Sequence, residues 1–162
     1  LDIEANYAAQ LEMLELQEAL VAALELIDRT RADISTLNGL IDRQLLNGED
    51  EKLQTLKKQG GEAIDGLNEL EKRFRNPPET KGIVYSANKV SSKLGLAGYY
   101  LGSNPGAPTE AGRFHLEQAR SALEESVNAV NTYVAGSITD YRQAVEQAGI
   151  GLLSPVRPLS LP

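Results

Sequence analysis

The chain has 162 residues, 41% of them hydrophobic and 24% charged, with a net charge of −7 and no cysteine. That is one domain's worth of chain, long enough to bury a core, and it excludes disulfide, zinc-thiolate and thiol chemistry. Residues 1–81 hold 10 Lys and Arg against 17 Asp and Glu, and residues 82–162 hold 6 of each, so the acidic first half argues against nucleic acid or an anionic membrane as partner.

The sequence starts at Leu1 in a helical pattern with no initiator Met and no basic-then-apolar signal segment, and is expected to be a fragment or processed product of a longer chain. No membrane span is expected, because the longest apolar run, Leu20 to Ile27, is short and contains Glu25. From Met13 the apolar positions Leu16, Leu20, Leu24, Ile27, Ile34, Leu37, Ile41 and Leu45 recur at the period of one helix face, with Arg31 as the polar interruption. Asn47-Gly48 supplies a left-handed stop, which predicts a first helix of about 40 residues, roughly 60 Å long. Glu49, Asp50 and Glu51 suit the positive end of a second helix, whose face is Leu53, Leu56, Ala63, Leu67, Leu70 and Phe74. This helix runs back along the first. Gly60-Gly61 inside it predicts a bend or a close approach, and Asn76-Pro77-Pro78 ends it.

Residues 76–85 then form an extended crossover, in which Ile83, Val84 and Tyr85 are expected to lie across the bundle as a plug. Ser86 is the expected N-cap of a short third helix with the face Ala87, Val90, Leu94, Ala97 and Leu101, closed by the Gly102 to Gly106 turn. Thr109 caps a long fourth helix carrying Leu116, Ala119, Leu123, Val127, Val130, Val134, Ile138, Tyr141, Val145 and Ala148. Two long and two shorter apolar stripes predict an all-α fold, an antiparallel four-helix bundle over 1–148. In the tail, 149–162, Pro155, Pro158 and Pro162 forbid a helix, and its spaced Leu and Val side chains should pack on the bundle or on a neighbouring domain.

The residues assemble no catalytic, cofactor or metal site. A dimetal bundle site needs Glu-x-x-His pairs, whereas the single histidine, His115, has Gly112 three positions earlier. There is no Gly-x-Ser-x-Gly elbow, and no Gly-Lys-Ser/Thr follows the glycine pairs. Glu79 and Glu110 are the acids in unusual settings, and the helix dipole accounts for Glu110. Tyr99-Tyr100 offers carbohydrate stacking, against the plainer expectation of one ring in the core and one at a loop rim. Glu79, Tyr85, Tyr99 and Tyr100 form the candidate binding surface, a groove near the 76–106 loops for carbohydrate or peptide. Pro155 to Pro158 fits the weak Pro-x-x-Pro pattern.

The run NPPETKGIVYSANKVSSKLGLAGYYLGS, followed by GAPTEAGRFHLEQARSALEESVNAVNTYV and the tail GIGLLSPVRPLSLP, resembles the helical C-terminal region of large bacterial BNR-repeat proteins. Those proteins are labelled glycosyl hydrolases or sortilin-like β-propeller proteins. The opening LDIEANYAAQLEMLELQEALVAALELIDRTRADI is similar to the family's segment after the propellers. The specific part is Pro-Pro-Glu-Thr-x-Gly-Ile-Val-Tyr (77–85) and Ala-Pro-Thr-Glu-Ala (107–111). The resemblance implies a periplasmic, cell-envelope or secreted protein whose β-propellers lie upstream and act as partners of this bundle. The Asp-box of BNR repeats is missing here, as is tryptophan, so no catalytic residue carries over. The expected role is a non-catalytic accessory domain, structural or partner-binding, whatever glycosidase activity the parent has. The alternatives are the carbohydrate- or peptide-binding module and a free-standing helical interaction protein, the last marked by exposed apolar stripe residues that drive self-association.

Overall fold

A computed structural model describes residues 2–82, 84–104 and 106–151. Helix α1 spans Asp2–Leu45, α2 Glu51–Phe74 and α3 Val90–Gly102. Helix α4, Glu110–Tyr133, continues through a π-turn at Val134–Ile138 into α5, Thr139–Ala148. Two long and two shorter helical segments therefore pack as the bundle that the periodicities predict. Expected end signals operate at several points. Asp50 accepts hydrogen bonds from the Lys52 and Leu53 amides at 2.9 and 3.2 Å, and Thr109 accepts one from Gly112 at 3.0 Å. Gly48, at φ 150°, follows α1, and Gly149, at φ 60°, closes α5 in the left-handed conformation.

Paired residues give the direction of each element. Asp42 meets Lys57, Arg31 meets Glu71 and Asp28 meets Arg75, so α2 descends along α1. Helix α3 continues the descent: Gly98 lies against the Met13 methyl, and the carbonyls of Asn104 and Gly106 accept from the Asn6 amide at 3.2 and 2.8 Å. The two shorter helices thus lie end to end. The last segment returns parallel to α1, from the Arg120–Glu12 pair to the hydrogen bond from Gln44 to the Gly151 carbonyl at 3.1 Å. Any cross-section consequently holds three rods, the middle one interrupted between α2 and α3.

The core runs the length of this arrangement. Ile27, Ile41, Leu67, Phe74, Val90, Ala97, Ala119 and Val130 are among its fully or nearly fully buried members. Gly60 is a point of close approach: a β-carbon there would come within 2.6 Å of Asn38 Oδ1 and 2.9 Å of the Tyr141 hydroxyl. Gly61 beside it meets nothing. At the π-turn, the Val134 carbonyl accepts from both the amide and the hydroxyl of Thr139, the latter at 2.8 Å, which satisfies the backbone where the turn widens.

Two expectations for the crossover are corrected. The N-cap of α3 is Lys89 and not Ser86, whose carbonyl instead accepts from Lys89 in a turn that leaves Ala87 exposed and ahead of the helix. Nor do Val84 and Tyr85 plug the bundle; both are exposed, and Ile83 lies outside the described residues. The reason is the tandem arrangement. Since α2 and α3 form one interrupted rod, the crossover spans a gap between successive pieces and bulges outward, tethered by hydrogen bonds from Asn76 to Val84 and from Lys89 to Lys72. The expected docking of the tail falls on residues 152–162, outside the described residues.

Candidate functional site

The four residues singled out from the sequence do not converge. Glu79 and Tyr85 are exposed on the crossover, while Tyr99 and Tyr100 sit at the far end of α3, about 14 Å further along at the helical rise. Tyr99 and Tyr100 belong to a different cluster, formed where the α3–α4 turn brings two helix ends together. Tyr99 meets Tyr100 edge-on at 5.5 Å, Tyr100 stacks on His115 at 4.7 Å, and Phe114 meets His115 edge-on at 5.3 Å. Neither tyrosine is in the core. Ala97 and Leu101 take the inward positions of α3, which turns Tyr99 outward, 70% exposed, near the exposed Phe114. His115 is thus a half-buried aromatic stacking partner of Tyr100 and Phe114.

Among the described residues, a line of exposed apolar side chains runs along the first half of α1. Ile3, Tyr7, Leu11, Leu14 and Val21 are 46% to 79% exposed. At 100° per residue they fall within about 80° of arc, roughly 130° from the buried Asn6, Met13, Ala23 and Ile27. Helix α1 packs on the other rods through the latter side, so the helix has two apolar stripes and uses one. The same stretch, residues 1–28, carries Asp2, Glu4, Glu12, Glu15, Glu18, Glu25 and Asp28 and no Lys or Arg. Arg120 engages Glu12, and Arg31 and Arg75 engage Asp28. Among the described residues Glu4, Glu15, Glu18 and Glu25 make no ion pair. In the sequence, the four-residue spacing of Ile3, Tyr7 and Leu11 ahead of Met13 is the signal of this second face.

Midway along α1 the polar interruption at Arg31 is explained. Glu71 of α2, only 1% exposed, receives Arg31 at 2.8 Å and Arg75 at 2.8 Å, and both guanidinium groups also reach Asp28, at 2.6 and 3.3 Å. Arg31 also donates a hydrogen bond to Asn68 Oδ1 at 2.5 Å. Burial works against the Arg31 cation, and its hydrogen bonds to Glu71 and Asp28 outweigh it, holding the group above its ordinary range. This closed ring of two acids and two arginines locks the lower end of α2 to α1, beside the break in the middle rod. It is a structural clasp, as each charge is already met.

Two further hollows are polar. One of about 360 Å³ lies between α2 and the π-turn, against Glu62, Tyr133, Ser137, Asp140 and Tyr141. Burial raises the Tyr141 phenol above its ordinary value, and burial followed by the negative Asp65 raises that of Tyr133, so both stay protonated and neutral. The other, about 510 Å³, lies where the crossover meets α4 and brings together Lys72, Arg73, Lys89 and Lys93 beside Glu125. In the first hollow, among the described residues, no hydrogen bond joins Ser137 to Glu62 or Asp140. Among the described residues no group of three or more Asp, Glu or His side chains is placed to hold a metal ion, and no helix is long and apolar enough to cross a membrane. No family model matches the chain, and it matches no curated protein and no solved structure.

Proposed function

We propose that this chain is a non-catalytic helical docking domain, an accessory bundle of a large exported bacterial β-propeller protein of the BNR-repeat, sortilin-like type. The observation that carries the docking role is the second apolar stripe of α1, five large side chains in one line that, among the described residues, no other element covers. A stripe of this length is unusual on a surface with no partner, because each exposed aliphatic or aromatic group left in water forgoes the free energy of burial. The attachment to propellers is supported by the sequence likeness at 77–85 and 107–111, and a periplasmic, cell-envelope or secreted location is part of the same proposal.

Two measurements test these parts separately. A photo-crosslinking amino acid at position 14, introduced in the producing organism, is expected to give a discrete adduct that the same reagent at Thr36 does not give; no adduct from position 14 would remove the docking role. An antibody to residues 73–110 is expected to detect a polypeptide far larger than 17.5 kDa in the envelope or medium. A band at that mass in the cytoplasm would remove the attachment to propellers. A second reading rests on the exposed Tyr99 and Phe114 beside the Tyr100–His115 stack, which offer ring faces to a sugar. Calorimetry with oligosaccharides is its test, and heats of dilution alone would end it.

A further inference from the structure

We infer that the outer face of α1 between Ile3 and Val21 docks a basic amphipathic helix of a partner protein. This rests on the docking role proposed above and names the partner's chemistry. The stripe runs straight for 18 residues, about 27 Å at the helical rise, with spacings of four, four, three and seven. Such a ridge of side chains is complementary to the grooves of another helix lying nearly along it. Glu18 and Glu25 fall within the same arc, Glu4 and Glu15 line one edge, and Gln10 and Gln17 line the other. A partner helix therefore meets an apolar centre with carboxylates at and beside it, and needs Leu- or Phe-type anchors flanked by Lys or Arg.

Other occupants fit less well. A second copy would set the four glutamates that lack an ion pair against their own kind, since residues 1–28 contain no cation to offset them. The chain's own tail departs at Gly151, beside Gln44. From there Val21 is 23 residues back, about 35 Å along α1, and residues 152–162 by themselves span at most about 40 Å when fully extended. They would touch only the last member of the stripe. Nucleic acid and anionic lipid are repelled by the same carboxylates.

The test uses the full 162-residue chain and three synthetic 22-residue peptides followed by fluorescence anisotropy. The first has Leu at helical spacing and Lys and Arg on its flanks, the second is the same composition scrambled, and the third carries Glu in place of Lys and Arg. The first is expected to bind, with affinity falling as salt rises, and to bind about tenfold more weakly or worse to the Leu11→Ala/Leu14→Ala variant. Circular dichroism should show that variant unfolding at the parent temperature, because both positions face solvent. Charge reversal at Glu15→Lys/Glu18→Lys should weaken the first peptide and strengthen the third.

Equal binding of the scrambled peptide, or unchanged binding by the alanine variant, would overturn the inference. So would concentration-dependent dimerisation in ultracentrifugation that Leu14→Glu abolishes, because the occupant would then be a second copy. Absence of peptide binding with a position-14 adduct still formed in cells would overturn the basic-helix partner and leave the docking role standing. Absence of both would remove the two together.

Discussion

The two halves of α1 present the same buried stripe to the bundle and opposite characters to solvent. Over residues 2–28 the outer face is apolar and acidic, without a single Lys or Arg. Over residues 29–45 the helix gains Arg29, Arg31 and Arg43 against Asp33 and Asp42, and it exposes no large hydrophobic side chain. One continuous helix therefore has one half with a polar outer face and one half whose outer face is apolar and acidic. The difference teaches that amphipathicity alone does not separate core from interface; the number of stripes against the number of neighbouring rods does.

The sharpest way to break this comparison is to truncate each stripe in turn. Ile27→Ala, at a fully buried position, should cost about 2–5 kcal/mol, whereas Leu14→Ala should change stability by less than about 0.5 kcal/mol. Urea titration of the two variants checks this, and a large loss at Leu14 would mean that the outer stripe is covered within the chain. Next in size is the clasp that divides the halves. Glu71→Ala leaves Arg31 and Arg75 without their shared carboxylate and should cost about 3 kcal/mol, at the low end for buried pairs because both arginines are partly exposed. A Glu71→Ala protein as stable as the parent would show the ring to be ornamental.

Smaller effects sharpen the account of the second half. A β-carbon at Gly66 would overlap the Tyr133 ring, whose hydroxyl donates to the Ala63 carbonyl at 3.1 Å, so Gly66→Ala should destabilise by about 1–3 kcal/mol. Gly61→Ala meets nothing and should stabilise by up to about 1 kcal/mol through helix propensity. Thermal melts that rank the two in the reverse order would contradict the packing described. The smallest effect is a pH dependence. Tyr133 and Tyr141 titrate above their ordinary value of 10.0 when folded, so their contribution is complete below that pH and is lost as pH rises through the higher folded values. Unfolding free energy should fall as pH rises above 10.0, and Tyr141→Phe should flatten the fall; an identical profile in the variant would place the effect elsewhere.

Much of the fold was legible. The Met13 to Leu45 stripe, the Asn47-Gly48 stop, the Thr109 cap and the close approach at Gly60 are all recovered, because each depends on residues within a few positions of one another. Little of the site was. Glu71 reads as one more solvent-facing acid until α1 supplies Arg31, and Gly66 reads as a weak helix position until Tyr133, 67 residues later, covers it. Tyr85 and Tyr99 looked adjacent in function because they are near in sequence, yet α3 carries them apart.

The sequence by itself determined that the chain is helical, how long each helix runs and which faces are apolar, since period, caps and breakers act through local geometry. Only the tertiary structure decided that α2 and α3 lie end to end within the bundle, and that among the described residues α1 is left with an uncovered stripe. Those outcomes depend on the direction in which the chain re-enters after residues 75–89, and that direction is fixed by contacts between residues far apart in sequence. Local pattern says where a surface prefers to lose water; only packing says whether anything is there to take the water's place.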